Sequence, residues 1–277
     1  MNFAQKLDRG WTSSGSRLCV GLDPILERMP PAIAASPRPV LAFNRYIVDL
    51  IGDLACAFKP QFAHHAAVAA EQDLADTIAY IRRRRPHAVV ILDAKRGDIG
   101  STAEMYAREA FDRHDADAVT VNPFMGDEAV TPFLERPDRG ALVLCRTTNP
   151  DARRVQHARI GDEAVFEAIA RRAEHVWNAR GNVMLVVGAT ATEDMAIVRR
   201  LAPSLAFLVP GYGEQGGSAA AVLKAGLRSD GQGLVVSASR SILYAGSDAD
   251  IRRAAQGAHR QLAGAAAEPS LAVGIAH

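Results

Sequence analysis

The stretch Ala88-Val-Val-Ile-Leu92-Asp93-Ala-Lys95-Arg-Gly-Asp98-Ile-Gly-Ser-Thr102 decides how this chain is read. A short apolar run, rich in β-branched residues, ends abruptly in charged groups, Asp93, Lys95 and Asp98 among them. The run reads as a buried strand. Strand side chains alternate faces, so Asp93 and Lys95, two apart, point the same way. An acid and a base on one face at the end of a buried strand are costly to hold unless they serve each other or a ligand. The stretch therefore marks a candidate active site.

Outward from it, the same pattern recurs. Apolar runs lie at Leu18–Leu22, Leu54–Phe58, Ala88–Leu92, Ala118–Val121, Ala141–Cys145, Val183–Val187, Leu205–Val209 and Leu234–Val236. Between them, 40–53, 71–84, 101–114, 127–135, 162–179, 192–201, 217–225 and 248–262 have helical periodicity. Nearly continuous apolar strands alternating with helices indicate a parallel sheet covered on both faces. Eight such units in 277 residues favour an α/β fold of the (β/α)8 TIM-barrel type, one domain spanning 1–277. A doubly wound open sheet is the structural alternative. No interdomain linker and no repeat beyond the βα unit is visible. A short amphipathic helix opens the chain, with Asn2 as its cap and Phe3 and Leu7 on one side. The Ala-rich tail after Leu262 is expected to be poorly ordered. Two long loops follow strands, the Pro-rich stretch Met29–Pro39 and Thr147–Ile160, and the second is the candidate lid.

Composition excludes several classes. The chain is 48% hydrophobic and 23% charged, with formal net charge +1. Such a balance gives no support for a nucleic-acid partner. The one dense basic run, Arg82–Arg85, ends a helical pattern before Pro86 and reads as solvated cations complementing the helix dipole. Cys19, Cys56 and Cys145 each lie in an apolar run and form no C-x-x-C pair, which fits buried thiols in a reducing cytoplasm better than disulfides or zinc. No segment has the roughly 18 apolar residues of a membrane span, and the N-terminus has no signal-peptide core.

In a (β/α)8 barrel the active site lies at the C-terminal ends of the strands. Those ends carry Asp23-Pro24, Lys59-Pro60, Asp93-Ala-Lys95, Asn122-Pro123, Arg146-Thr-Thr148, Pro210-Gly-Tyr-Gly-Glu-Gln215-Gly-Gly and Ser237-Ala-Ser239-Arg240. Several have plain structural readings. Asp23-Pro24 and Asn122-Pro123 suit turns. Ser101-Thr-Ala-Glu104 fits a capping box, with Asp98 beside it as a second candidate cap. His64-His65 suggests a metal, but adjacent histidines rarely converge on one ion. Gly216-Gly217 before a helix, together with Arg240 on the neighbouring strand, makes a plausible phosphate cradle. The alternation Lys59, Asp93, Lys95, Asp98 is harder to assign to structure alone. Opposite charges so placed keep one another ionised. The array holds Lys95 protonated, as a proton donor should be, and sets carboxylates where a substrate anion is repelled.

The Asp93-x-Lys95-x-x-Asp98-Ile-x-x-Thr102 pattern resembles the D-x-K-x-x-D-I-x-x-T motif of the orotidine 5′-phosphate decarboxylase family, in its longer (type 2) bacterial branch. The resemblance runs from Leu18–Asp23 to Ser239–Ile242. It implies a (β/α)8 barrel that works as a homodimer with shared active sites, needs no cofactor or metal, and converts orotidine 5′-monophosphate (OMP) to UMP and CO2. It further implies roles: Lys95 as proton donor to C6, Asp93 against the substrate carboxylate, and Lys59 bridging Asp93 and the ribose. Asp98 and Thr102 would reach the neighbouring subunit's site. Asp23 would bind a ribose hydroxyl, Thr148 the pyrimidine edge, Gln215 and Arg240 the phosphate. The chain departs from the family's frequent residues at three places. Thr148 stands for a serine, Ser239 for a glycine that offers its backbone to phosphate, and Gly100-Ser101 for Pro-Asn.

Three rivals compete. Mg2+-dependent sugar-phosphate decarboxylases or hexulose-phosphate synthases share the Asp-x-Lys-x-x-Asp pattern but need a Glu ligand on strand two, where this chain has Lys59. A Schiff-base aldolase needs a neutral lysine, against which the flanking carboxylates work. A barrel that binds phosphate without catalysis would have no need of the full charged set.

Overall fold

A computed structural model describes residues 1–213 and 217–263 of the chain. Eight parallel strands close into a barrel: β1 (Leu18–Leu22), β2 (Ala57–Pro60), β3 (Val89–Arg96), β4 (Ala118–Val121), β5 (Gly140–Arg146), β6 (Val183–Val187), β7 (Ala206–Val209) and β8 (Leu234–Ala238). The register Cys19↔Ser237 joins β1 to β8, and this closure excludes the open sheet.

Alternation along the strands sorts the core into two. Leu18, Val20, Leu22, Phe58, Val90 and Leu92 point outward and pack under the surrounding helices. Cys19, Ala57, Val89, Ile91, Ala118, Leu142 and Val235 point inward. The helix Phe3–Ser14 closes this inner cluster at the N-terminal end of the barrel by adding Phe3, Leu7 and Trp11. Asn2 caps it as expected: its Oδ1 accepts from Gln5 N at 2.9 Å, and Gln5 Oε1 accepts from Asn2 N at 3.0 Å. Trp11 Nε1 donates to Leu234 O at 2.8 Å. Gly140 leaves room for the Phe3 ring, which a Cβ there would meet at 2.4 Å.

Several boundaries differ from the sequence reading, each for a local reason. The second strand begins at Ala57 rather than Leu54, because Gly52–Leu54 forms a 3-10 turn finishing the helix Pro39–Ile51. The helix expected over 127–135 splits into the 3-10 turn Asp127–Ala129 and the short helix Thr131–Leu134, with Pro132 in its first turn. The Ser101–Glu104 capping box does not form. Gly100, at φ 54°, turns the chain into the helix Gly100–Arg108, so Ser101 already lies inside it and Ile99 takes the cap position without a side-chain bond. Asp98 does not cap it either; its Oδ1 accepts from the adjacent Ile99 N at 2.8 Å. The helix continues as a π turn over Glu109–Arg113. The basic run is less solvated than expected: Arg82 bonds Asp115 O and Asp117, Arg84 pairs with Asp49, and Arg85 donates to Val48 O. All three cysteines are buried and free, and no helix among the described residues is long and apolar enough to cross a membrane. The tail expected to be poorly ordered after Leu262 lies almost wholly outside the described residues.

Candidate active site

One step of alternation above the inner apolar layer, the same strands present polar groups. Ala57 gives way to Lys59, Ile91 to Asp93, Ala118 to Thr120 and Val235 to Ser237. Lys59 and Asp93 are each 6% exposed. Asp93 Oδ2 accepts from Lys59 Nζ at 2.7 Å and from Gln61 Nε2 at 3.0 Å. Its Oδ1 accepts from Lys95 Nζ at 2.6 Å and from Thr120 Oγ1 at 3.0 Å. Four donors thus converge on one carboxylate, two of them ammonium groups. Burial alone pushes Asp93 upward, but the Lys59 and Lys95 charges outweigh it and hold the carboxyl well below the usual range. Burial likewise works against the Lys59 ammonium, and Asp93 with Asp23 reverses that and raises it above an ordinary lysine.

Lys95 reaches Asp93 by a different route from simple alternation. The β3–β4 register shifts between Leu92 and Arg96, and Lys95 adopts φ 47°, an uncommon conformation for a residue with a side chain. Thr120 Oγ1 holds this irregular turn by accepting from both Ala94 N at 3.0 Å and Lys95 N at 2.8 Å. Thr120 and Gln61 were not singled out in the sequence. The available signal was strand parity, since Thr120 is two residues past Ala118 and Gln61 two past Lys59. Gln61 is itself seated by His65, whose Nδ1 donates to Gln61 O at 2.9 Å while its Nε2 accepts from Asn44 Nδ2 at 3.1 Å. Burial lowers the His65 pKa, consistent with this neutral ring. Both ring nitrogens are thereby used, so His64-His65 does not form a metal pair.

At the β1 and β8 ends, Asp23 meets Ser239, whose hydroxyl donates to Asp23 Oδ2. Tyr244 OH donates to Asp23 O at 3.1 Å and accepts from Ile25 N at 2.7 Å. Arg240, exposed, opens the short helix Arg240–Leu243. The loop after β7 comes beside it, with Ser241 Oγ 3.6 Å from where a Gly213 Cβ would lie. The next helix begins at Ala219, capped by Ser218, rather than at Gly217. Gln215 and Gly216, part of the expected phosphate cradle, lie outside the described residues.

At the β5 end Thr148 packs onto β6: a Cβ on Gly188 would lie 2.4 Å from the Thr148 Cγ2. The methyl that distinguishes Thr148 from serine therefore rests where Gly188 has no side chain. Beside it Arg146 Nε donates to Asp194 Oδ2 at 2.6 Å, and His157 Nε2 lies 2.9 Å from the same oxygen. Gln156 Oε1 accepts from Thr147 N at 3.0 Å. The 147–160 segment is thus tied down at Gln156 and His157, and its Ala152, Val155 and Ile160 line a cavity of about 1030 Å³ that also contains Lys59, Asp93, Lys95 and Thr148. Asn122 acts as a turn residue, its Oδ1 accepting from Phe124 N at 3.0 Å. Asp23, Asp98, Thr102 and Arg240 do not line this cavity; Thr102 is exposed.

Known proteins resemble this chain over most of its length. Residues 16–255 match the family model described as Orotidine 5′-phosphate decarboxylase / HUMPS family. An orotidine 5′-phosphate decarboxylase of Cellvibrio japonicus (strain Ueda107) is 49% identical over 258 residues, covering 92% of this chain and 94% of the relative. Among solved structures, Leishmania donovani OMP decarboxylase superposes with a TM-score of 0.81 at 40% identity, covering 93% of this chain and 95% of that one. The UMP synthase of the same organism gives a TM-score of 0.85 at 40% identity, covering 95% of this chain and 56% of that longer one.

Proposed function

The chain belongs to the orotidine 5′-phosphate decarboxylase family, and from that premise we propose that it converts OMP to UMP and CO2 in pyrimidine biosynthesis, as a cytoplasmic carboxy-lyase. The observation that carries the reading is Asp93 held ionised between Lys59 and Lys95 at the barrel mouth. The C6–carboxyl bond breaks, CO2 departs, and the electron pair stays on C6. No adjacent π system delocalises that pair, so stabilisation must be electrostatic, and the Lys95 ammonium supplies it. Lys95 then transfers a proton to C6, giving UMP. Its half-exposed side chain can be reprotonated from solvent. The ionised Asp93 lies against the substrate carboxylate and raises the energy of the bound ground state. Lys59 links Asp93 to the ribose, Asp23 takes a ribose hydroxyl, Thr148 the pyrimidine edge, and Arg240 with Gln215 the phosphate. Binding energy at the phosphate is available to assemble the site around C6.

The Mg2+-dependent alternative is not favoured. The strand-two position that would need a carboxylate carries Lys59, and the Asp93 oxygens are already taken by four donors. The deciding assay follows the loss of OMP absorbance with and without EDTA. Equal rates are expected; no turnover of OMP, or turnover abolished by EDTA, rejects the reading.

Shared sites in a homodimer are part of the proposal. Asp98 and Thr102 lie on the segment after β3, where Ile99 and Met105 expose apolar surface, as do Phe124 and Met125 after β4. That surface suits a second copy of the chain. A mixed dimer of Lys95→Ala and Asp98→Ala chains is expected to retain one competent site; a wholly inactive mixture sinks the sharing.

A further inference from the structure

We infer that Ser239 is a positioning residue for Asp23. The inference rests on the proposed reading of Asp23 as the ribose ligand. Where a backbone contact to phosphate was in question at Ser239, the structure gives its side chain other work. The hydroxyl donates to Asp23 Oδ2. It is not spent on its own helix, since Arg240–Leu243 has no side-chain cap bond although serine at that position commonly makes one.

The approach is built from both strands. Gly21 faces Ser239 across the β1–β8 seam, and a Cβ on Gly21 would lie 2.9 Å from both the Ser239 Cβ and its Oγ. Only a residue without a side chain at 21 lets Ser239 come this close. The Asp23 backbone is fixed from the same turn, by the Tyr244 hydroxyl on its carbonyl at 3.1 Å. Tyr244 is in turn immobilised by stacking on Phe43 at 5.5 Å between ring centroids, with the Arg28 guanidinium 4.3 Å from the ring. Asp23 is thus gripped at its main chain by Tyr244 and at one carboxylate oxygen by Ser239.

The other oxygen, Oδ1, is enclosed and has no hydrogen-bond partner among the described residues. A buried acceptor left unmatched is costly, and a hydroxyl donor relieves that cost. By holding Oδ2, Ser239 fixes the orientation of the Asp23 carboxylate.

The test is a cycle of variants and substrates. kcat and KM are measured for wild type, Ser239→Ala, Asp23→Asn and the double variant, on OMP and on its 2′-deoxy and 3′-deoxy analogues, with thermal unfolding to confirm that each variant folds. On OMP, Ser239→Ala is expected to lower kcat/KM about tenfold, the scale of one hydrogen bond to a charged group, and the double variant to be no worse than Asp23→Asn. On the analogue lacking the hydroxyl that Asp23 binds, Ser239→Ala is expected to match wild type. Ser239→Gly is expected to behave as Ser239→Ala, since the hydroxyl and not the Cβ carries the effect. If Asp23→Asn becomes silent on one analogue while Ser239→Ala costs the same on all three substrates, Ser239 does not act through Asp23 and the inference is overturned. If Asp23→Asn also costs the same on all three, the ribose assignment of Asp23 fails and takes the inference with it.

Discussion

The two ends of the barrel interior are built by the same strands and serve opposite purposes. Ala57, Ile91, Ala118 and Val235 make a dry layer sealed by Phe3, Leu7 and Trp11. Two residues further along, Lys59, Asp93, Thr120 and Ser237 make a polar layer under the open mouth. Apolar burial at the closed end stabilises the fold at roughly 25 cal/mol per Å². Charge burial at the open end costs desolvation and is tolerated because Asp93 pairs with both Lys59 and Lys95. The contrast teaches that stability and chemistry are separated by a single step of the strand's alternation, about 7 Å along each strand.

The largest effect that could break this separation is at Lys95. Its side chain is half exposed, so Lys95→Ala removes little packing. If Lys95 is the proton donor proposed above, turnover of OMP falls by about 10⁴-fold or more, through loss of general acid and positive charge together, while UMP binding and Tm stay near wild type. Near-normal turnover would remove Lys95 from its role.

Asp93→Asn and Trp11→Ala set the two layers directly against each other. Removing the Asp93 charge strands Lys59 in a buried site, a change of about 3–5 kcal/mol in stability, and turnover should be lost with it. Trp11→Ala empties buried volume and orphans the Leu234 carbonyl, also costing about 3–5 kcal/mol, but kcat/KM should be unchanged. Denaturant unfolding read beside steady-state kinetics checks both. The pH dependence sharpens the contrast. Asp93 has a depressed pKa, so its stabilising contribution is full above the ordinary carboxylate value of about 4 and is lost as pH falls through the lower native value. Lys59 is raised, so its contribution is full below an ordinary lysine value of about 10.4 and is lost as pH rises through the higher native one. The stability gap between wild type and Asp93→Asn should therefore narrow on acidification, and Trp11→Ala should show no such narrowing.

Much of this was legible in the chain itself, and the gaps have physical causes. The eight strands follow from apolar runs, and Lys59, Asp93 and Lys95 follow from where those runs stop. Thr120 and Gln61 escaped notice because a neutral side chain at a strand end carries no desolvation signal of its own; only the partner it serves reveals it. The capping box at Ser101 misled because Gly100 takes a left-handed φ of 54° that a glycine permits but does not require. Ser239 was visible as a departure from a family pattern, but its partner Asp23 is 216 residues away, a pairing fixed by barrel closure. The Arg146–Asp194–His157 cluster is hidden for the same reason, since it joins the turns after two neighbouring strands rather than any local motif.

The smallest expected effect tests the closed end alone. Asn2 and Gln5 exchange two hydrogen bonds that satisfy amides at the first turn of the helix Phe3–Ser14. Both residues are exposed, so Asn2→Ala opens no cavity and should cost about 1 kcal/mol. The Phe3 amide remains bonded to Pro137 O at 2.9 Å, which keeps the Phe3 ring seated under Gly140 even when the cap is lost. Fraying should therefore stop at the first residue, with a slight drop in Tm and no change in KM or kcat for OMP. A kinetic defect in Asn2→Ala would mean that the apolar layer transmits strain to the polar one, and the division between the two ends of the barrel would have to be given up.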